Sequence, residues 1–360
     1  MVRVICLLGD KKMKEWNNKY NPFNSLKALV HVEYWAAIAD GTIPPPRFVS
    51  VDPNGFCNFK CPFCNAREVL EHDVMTKETM NKIGDTLKKW KTKATCIGGG
   101  GEPSLNKNLG HLISVLTETT ECGLVTNGYI LDTYIEEANK LKWIGVSIDA
   151  GYPSTFSIMK GVKKSVFFDV MKNLTMLAKA TKELTYKFLL HPSNCSEIYE
   201  ACKIAKDTGC TQIHIRPGGD PWFNIGNGEF VFTDKHRDII NEQITKARAV
   251  LEDSTFTIYG ISHKFDNKLA PKRSFKSCNA MYTTCVVSPD GTIGLCCDRR
   301  GDDSTVLGNI NDSEQLWGSP KHKKIVETID LTKCPRCTYS HVNEIFENVI
   351  LNDKMMYNLF

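Results

Sequence analysis

Six short β-rich runs, each followed by a helical or loop segment, occupy residues 48 to 216 and leave few folds open to this chain. The runs lie at 48–52, 94–98, 123–126, 144–148, 186–190 and 212–216, with amphipathic segments between them near 76–90, 107–119, 131–141, 165–182 and 196–208. Alternation of this kind builds an α/β fold with a parallel sheet, because each crossover must return the chain to the same end of the sheet through a covering helix. Six units are too few for a full eight-fold barrel. In parallel α/β folds the chemistry gathers at the carboxyl ends of the strands, so the loops after the six runs are where functional residues are expected.

The first of those loops carries Cys57-Asn-Phe-Lys-Cys61-Pro-Phe-Cys64. Three thiolates at this spacing can hold three irons of a [4Fe–4S] cluster and leave the fourth iron open to another ligand, whereas ferredoxin-type carriers supply four Cys. Zinc is the alternative, since CxxC pairs are common zinc ligands. The three-residue first gap and the absence of His before His72 weigh against it. The second run ends in Gly98-Gly99-Gly100-Gly101-Glu102-Pro103. It lacks the Lys-Ser/Thr of a phosphate-binding P-loop, and Pro103 interrupts a dinucleotide fingerprint. Consecutive glycines allow close backbone approach. Later runs end in Thr126-Asn127-Gly128, in Ser147-Ile148-Asp149, in His191-Pro-Ser193-Asn194 and in Arg216. Asn127 also reads as a turn residue and Ser193 as a helix cap. Arg216 suits a carboxylate or phosphate, or a structural ion pair.

Beyond 216 the alternation stops. A Gly/Pro-rich loop leads to a long helix near 233–251, and from 277 the texture changes to short strands and turns with six more Cys. Arms at 282–288 and 292–295 around Pro289-Asp290-Gly291 read as a hairpin. Cys278 precedes it, Cys296 follows it, and Cys334-Pro-Arg-Cys337 forms a knuckle further on. Four thiolates in this order can close a tetrahedral zinc site or a cubane. Cys285 is expected within the hairpin and Cys297 in packing, with an alternative ligand or a hydrogen-atom donor as its other readings. Cys6, Cys96, Cys122, Cys195, Cys202 and Cys210 read as small core hydrophobes.

The CxxxCxxC loop, the GGEP segment and the C-terminal Cys pattern together resemble the radical SAM superfamily, with a Twitch (shortened SPASM) domain after the barrel. The resemblance spans roughly residues 47–340. It implies a partial (β/α)6 radical SAM barrel and a small C-terminal Cys-rich α+β domain. The division expected is 1–46 as an N-terminal helical extension with a helix at 24–40, 47–220 as barrel, 221–276 as a linking helix and strand, 277–345 as the Twitch-like domain and 346–360 as a tail. It further implies two [4Fe–4S] clusters and S-adenosylmethionine as cofactors. Cys57, Cys61 and Cys64 would ligate the first cluster, and Cys278, Cys296, Cys334 and Cys337 the auxiliary one. Cofactor contacts would come from Phe63, Gly99, Gly100, Gly101, Glu102, Asn127, Ser147, Asp149 and Asn194. Arg216 would hold the substrate.

The resemblance implies reductive cleavage of S-adenosylmethionine and hydrogen-atom abstraction. A fully ligated second cluster would serve in electron transfer. The domain arrangement is similar to that of single-auxiliary-cluster dehydrogenases of aminocyclitol biosynthesis, so oxidation of a small carbohydrate- or cyclitol-like substrate is expected. Peptide crosslinking or epimerisation is the alternative within the superfamily, and a non-enzymatic zinc or iron–sulfur protein the alternative outside it. A flavodoxin- or ferredoxin-type electron donor is the implied protein partner. Net charge is +4, from 45 basic and 41 acidic residues among 360, so no global field calls for nucleic acid. The first residues are too few and too charged for a signal peptide or a membrane span. Fifteen Cys without an export signal fit a cytoplasmic chain that binds metal better than a disulfide framework.

Overall fold

The structure is a computed structural model that describes residues 30–66, 73–220, 230–260, 275–334 and 337–350. Seven parallel strands run in chain order across one sheet: β1 (Phe48–Val51), β2 (Ala94–Ile97), β3 (Glu121–Thr126), β4 (Trp143–Ser147), β5 (Leu184–Leu190), β6 (Gln212–Pro217) and β7 (Thr257–Gly260). The six expected runs are β1 to β6. The strand anticipated in the linking segment joins the same sheet as β7, beside β6.

The helices follow the sequence signals closely. After α1 (Val32–Ala39), α2 (Lys77–Trp90) begins where the Thr76 hydroxyl accepts a hydrogen bond from Thr79 N and ends at Lys91 in the left-handed region. Its buried Met80, Ile83, Leu87 and Trp90 recur at three- and four-residue spacing. Each such side chain contributes about 1.5–3 kcal/mol on burial. Further along lie α3 (Leu109–Thr117), α4 (Pro153–Lys160), α5 (Ser165–Ala180), α6 (Ile198–Asp207) and α7 (Asp234–Leu251). Two departures have local causes. The segment at 131–141 forms a 3-10 helix, Ile135–Lys140, fixed by the fully buried Tyr134 before it. The unanticipated α4 is short and opens on Pro153. It closes at Gly161 in the left-handed region, a start and a stop too close together to show a periodic pattern.

The hairpin also forms, from β8 (Thr284–Val287) and β9 (Thr292–Gly294), with Gly291 at φ 86° in the turn and β10 (Val306–Asn309) beyond. It does not make a separate sheet. Strand β8 pairs parallel with β1, giving the order β10-β9-β8-β1-β2-β3-β4-β5-β6-β7. All four β8 residues are buried, the pattern of a strand covered on both faces. Of the expected N-terminal helix, residues 30–40 are described, with α1 within them, and the remainder lies outside the described residues. It rests on the C-terminal region: Tyr34 OH donates to Tyr282 O at 3.3 Å, and the Trp35 ring meets Phe346 edge-on at 5.6 Å. Cys6 and residues 351–360 of the expected tail also lie outside the described residues. Among the described residues no helix is long and apolar enough to cross a membrane.

Candidate active site and cluster centres

Strand β1 delivers the chain into the loop that carries Cys57, Cys61 and Cys64, all partly accessible and none in a disulfide. The loop is tied at several points. Phe59 N donates to Cys57 Sγ at 3.4 Å, Lys60 N to Lys160 O at 2.9 Å, and Asn127 Nδ2 to Asn58 Oδ1 at 2.8 Å. Burial pushes the Cys57 thiol up to about 12 and raises that of Cys61, so metal loading must displace protons here.

The glycine run passes directly beneath this loop. A Cβ on Gly101 would lie 2.0 Å from Phe56 O, and one on Gly99, which has φ 92°, would lie 1.7 Å from Asp52 Oδ1. No side chain fits at either position, which explains the glycines by packing as well as by ligand approach. Glu102 is 4% exposed and accepts hydrogen bonds from Ser104 N at 3.1 Å, Ser104 Oγ at 2.7 Å, Thr126 Oγ1 at 2.6 Å and Asn127 N at 2.7 Å. Burial raises its carboxyl above the usual range, against the pull of these donors. Glu102 thus locks the ends of β2 and β3 together, and Asn127 carries the constraint to the Cys loop.

A cavity of about 240 Å³ opens on the loop. Cys61, Phe63, Cys64, Ser147, Asp149 and Arg216 line it, with Asn65, Lys160, Leu189, Gly219, Asp220 and Asp298. Six of the sequence-derived site residues therefore meet in one space. Others stand behind its wall. Buried Asn194 donates to Asp149 O and Leu189 O, both at 2.9 Å, and accepts from His191 N at 2.8 Å, so its amide holds the Asp149 turn. Ser193 does not cap the following helix, because its hydroxyl pairs with His191 Nδ1 at 2.7 Å.

Asp149, at φ 60°, forms a buried ion pair with Lys160 and accepts from Leu189 N at 2.6 Å. Burial alone would lower the Lys160 ammonium, but the Asp149 carboxylate together with the Cys61 and Cys64 thiols outweighs it and raises it. Lys160 sits at the end of the helix that sequence reading missed. Deeper in the sheet interior, Lys187 falls to about 7 through burial and then the charge of Arg216. Cys96 faces that interior, while Cys122, Cys195, Cys202, Cys210 and Cys285 are buried in the core.

The second thiol set is of another kind. Cys278, Cys296, Cys334 and Cys337 line one small cavity with Phe275, Met281, Leu295, Arg299 and Tyr339. Four thiols around one cavity supply the donor count of a cubane or of a tetrahedral site. Buried Arg299 places Nη1 3.8 Å from Cys334 Sγ and donates through Nε to Asp302 Oδ2 at 2.6 Å. Its neighbour Arg300 turns the other way, donating to Asp52 at 2.6 and 3.2 Å and to Cys297 O at 2.5 Å. Consecutive arginines thus clamp the four-Cys cavity and the end of β1. Asp298 lines both cavities and is held by Thr338 N at 2.6 Å and Thr338 Oγ1 at 2.8 Å. Cys297 is half-buried, its thiol 3.9 Å from Asp298 Oδ1.

This pairing of an open three-Cys loop with a closed four-Cys site agrees with known families. The model of the radical SAM superfamily matches residues 51–216, and that of the SPASM iron–sulfur cluster-binding domain matches 278–338. The chain thus carries a radical SAM domain followed by a SPASM-type iron–sulfur domain, the combination that goes with S-adenosylmethionine and two [4Fe–4S] clusters as cofactors. Among sequence relatives, a probable GTP 3′,8-cyclase of Sulfolobus acidocaldarius is 26% identical over 168 residues, covering 44% of this chain and 52% of that protein. The GTP 3′,8-cyclase of Staphylococcus haemolyticus is 30% identical over 128 residues, covering 32% and 37%. The chain thus spans about half or less of the length of these curated relatives. Among solved structures, Streptococcus suis SuiB bound to its precursor peptide SuiA superposes with a TM-score of 0.63 at 15% identity, covering 91% of this chain and 77% of SuiB. The enzyme anSMEcpe with bound S-adenosylmethionine gives 0.61 at 17% identity, covering 78% and 83%. These likenesses establish the fold.

Proposed function

We propose that the chain is a dehydrogenase of a small polar substrate, an alcohol of carbohydrate or cyclitol type, bound in the cavity between the two cluster sites. When bound, the first cluster with S-adenosylmethionine supplies a 5′-deoxyadenosyl radical, and the auxiliary cluster supplies an electron acceptor. The observation that carries this reading is Asp298, which lines both the substrate-side cavity and the four-Cys cavity, so a substrate in one stands a single side chain from the other. Four Cys around the second site leave it no position for substrate, which favours an electron-transfer role.

The chain's own residues would orient the reacting carbon. Arg216, at the end of β6, lines the cavity, and a guanidinium at this wall would suit a substrate oxygen. Ser147 and Asp149 at the end of β4 would meet the cofactor, with Lys160 neutralising Asp149 so that no net charge is buried there. Phe63 and Leu189 present apolar surface that excludes water from the abstraction step. Net, the alcohol carbon and oxygen lose one hydrogen atom, one electron and one proton, leaving a ketone.

The test is a reconstituted, anaerobic assay against a panel of cyclitols, amino sugars and short peptides. The expected result is one ketone formed per 5′-deoxyadenosine, with Arg216→Lys raising KM and lowering kcat. Turnover confined to peptides, or a product isomeric with its substrate, would contradict the reading.

A further inference from the structure

The reaction proposed for the cavity makes no use of the Asp52–Arg300 pair, which joins residues 248 apart in sequence and lies against the glycine run. Arg300 presents a fork to the Asp52 carboxylate. Its Nε donates to Oδ2 at 2.6 Å and its Nη2 to Oδ1 at 3.2 Å, while Nη1 donates to Cys297 O at 2.5 Å. Asp52 is buried, and its N–H donates to Val287 O at the end of β8. A Cβ on Gly99 would lie 1.7 Å from Asp52 Oδ1 and 2.5 Å from Arg300 Nη2, and one on Gly100 would lie 3.6 Å from Asp52 Oδ2. The pair therefore packs on one short stretch of backbone.

That stretch is the part of the run left open to a ligand. Gly98 N donates to Val51 O at 3.1 Å, Gly101 N to Asn54 O at 2.8 Å and Glu102 N to Phe56 O at 2.9 Å. Both ends of the run are thus pinned to β1 and the segment after it. Among the described residues the N–H groups of Gly99 and Gly100 make no such bond, and Gly99 is exposed. Gly99 stands at φ 92°, with no side chain to hold it there. A glycine peptide with neither a side chain nor a hydrogen bond takes its orientation from what packs against it.

We propose that the Asp52–Arg300 pair is a positioning element of the cofactor site, fixing the Gly99–Gly100 peptides in the orientation that receives the amino-acid end of S-adenosylmethionine. This rests on the glycine run being a contact of the cofactor. The carboxylate and ammonium of that end are groups that open peptide N–H and C=O groups recognise. The charges of Asp52 and Arg300 cancel, so the pair acts through shape rather than through a net field. A guanidinium is needed rather than an ammonium, because its fork spans both carboxylate oxygens and the Cys297 carbonyl at once. Arg300 lies in the segment that the cluster-binding domain matches, so the second domain completes the cofactor site of the first.

The test is ligand affinity of the reconstituted holoenzyme with its clusters oxidised, so that no cleavage competes. Equilibrium dialysis compares S-adenosylmethionine with 5′-methylthioadenosine, which lacks the amino-acid end. The variants are Arg300→Met, Arg300→Lys and the apolar pair Asp52→Leu/Arg300→Met, which keeps the packing without the fork. We expect S-adenosylmethionine to bind about tenfold more weakly to all three, with 5′-methylthioadenosine unchanged. Wild-type affinity for S-adenosylmethionine in the apolar pair would reduce Arg300 to a structural clamp and overturn the proposal. Equal weakening of the two ligands would overturn it as well. Gly99→Ala, which must displace the run, checks the premise. Wild-type affinity in that variant would overturn the reading of the run itself, whereas weak binding there beside wild-type affinity in the Arg300 variants would overturn only the role of the pair.

Discussion

The two thiol sites differ in how the fold holds them. The three-Cys loop hangs from the end of β1 and is braced by backbone and amide contacts to α4 and the β3 end, with one side open to a cavity. The four-Cys site is drawn from residues 278 to 337, walled by apolar side chains and clamped by a buried arginine. Openness permits a ligand that the protein does not supply, and closure protects a redox centre from ligand exchange. Both ride on one sheet, because β8 pairs with β1.

Removing one ligand from each site should separate the roles most sharply. Cys61→Ala is expected to abolish 5′-deoxyadenosine formation, measured by chromatography. Cys334→Ala should spare that cleavage and uncouple it from product. Equal loss in both variants would erase the distinction.

The clamp between the sites comes next. Arg300→Met leaves the buried Asp52 carboxylate without its cation, an effect of about 3–5 kcal/mol in urea denaturation. The apolar pair Asp52→Leu with Arg300→Met should recover much of it. A loss below 1 kcal/mol would mean that the β1–β8 pairing alone joins the regions.

Acid should weaken the closed side first. Buried His322 accepts from Gly318 N through Nδ1 and donates through Nε2 to Met281 O at 3.0 Å, steadying the turn after Cys278. Burial lowers its pKa to about 4. Between that value and the unfolded value near 6.5 the unfolded chain binds the extra proton, so stability falls as pH drops through this window, by about 3 kcal/mol in all. Acid unfolding of His322→Gln, which lacks the titration, should show a flatter slope from pH 6.5 to 4. The smallest effect is expected at Arg299. Arg299→Gln removes a cation beside Cys334 and should make the auxiliary couple more negative while leaving the first unmoved, as read by an EPR-monitored redox titration.

Much of this was legible because the signals are local. The β-rich runs, the Thr76 cap and the Pro-Asp-Gly turn each act within a few residues. The Cys positions needed only spacing. What could not be read were pairings between distant segments: Asp52 with Arg300, Asp149 with Lys160, and β8 with β1. A charged residue looks the same in sequence whether solvated or buried against a partner 248 residues away. The apolar run Cys285-Val286-Val287 was the available sign that the hairpin would be covered on both faces.

The most direct test is iron and sulfide content, with Mössbauer spectra, of the anaerobically reconstituted protein and its Cys57→Ala/Cys61→Ala/Cys64→Ala variant. One open and one closed cubane predict about eight irons falling to about four, with a [4Fe–4S] signal surviving in the variant. A variant that retains no iron would contradict the closed cluster, and with it the electron-acceptor role.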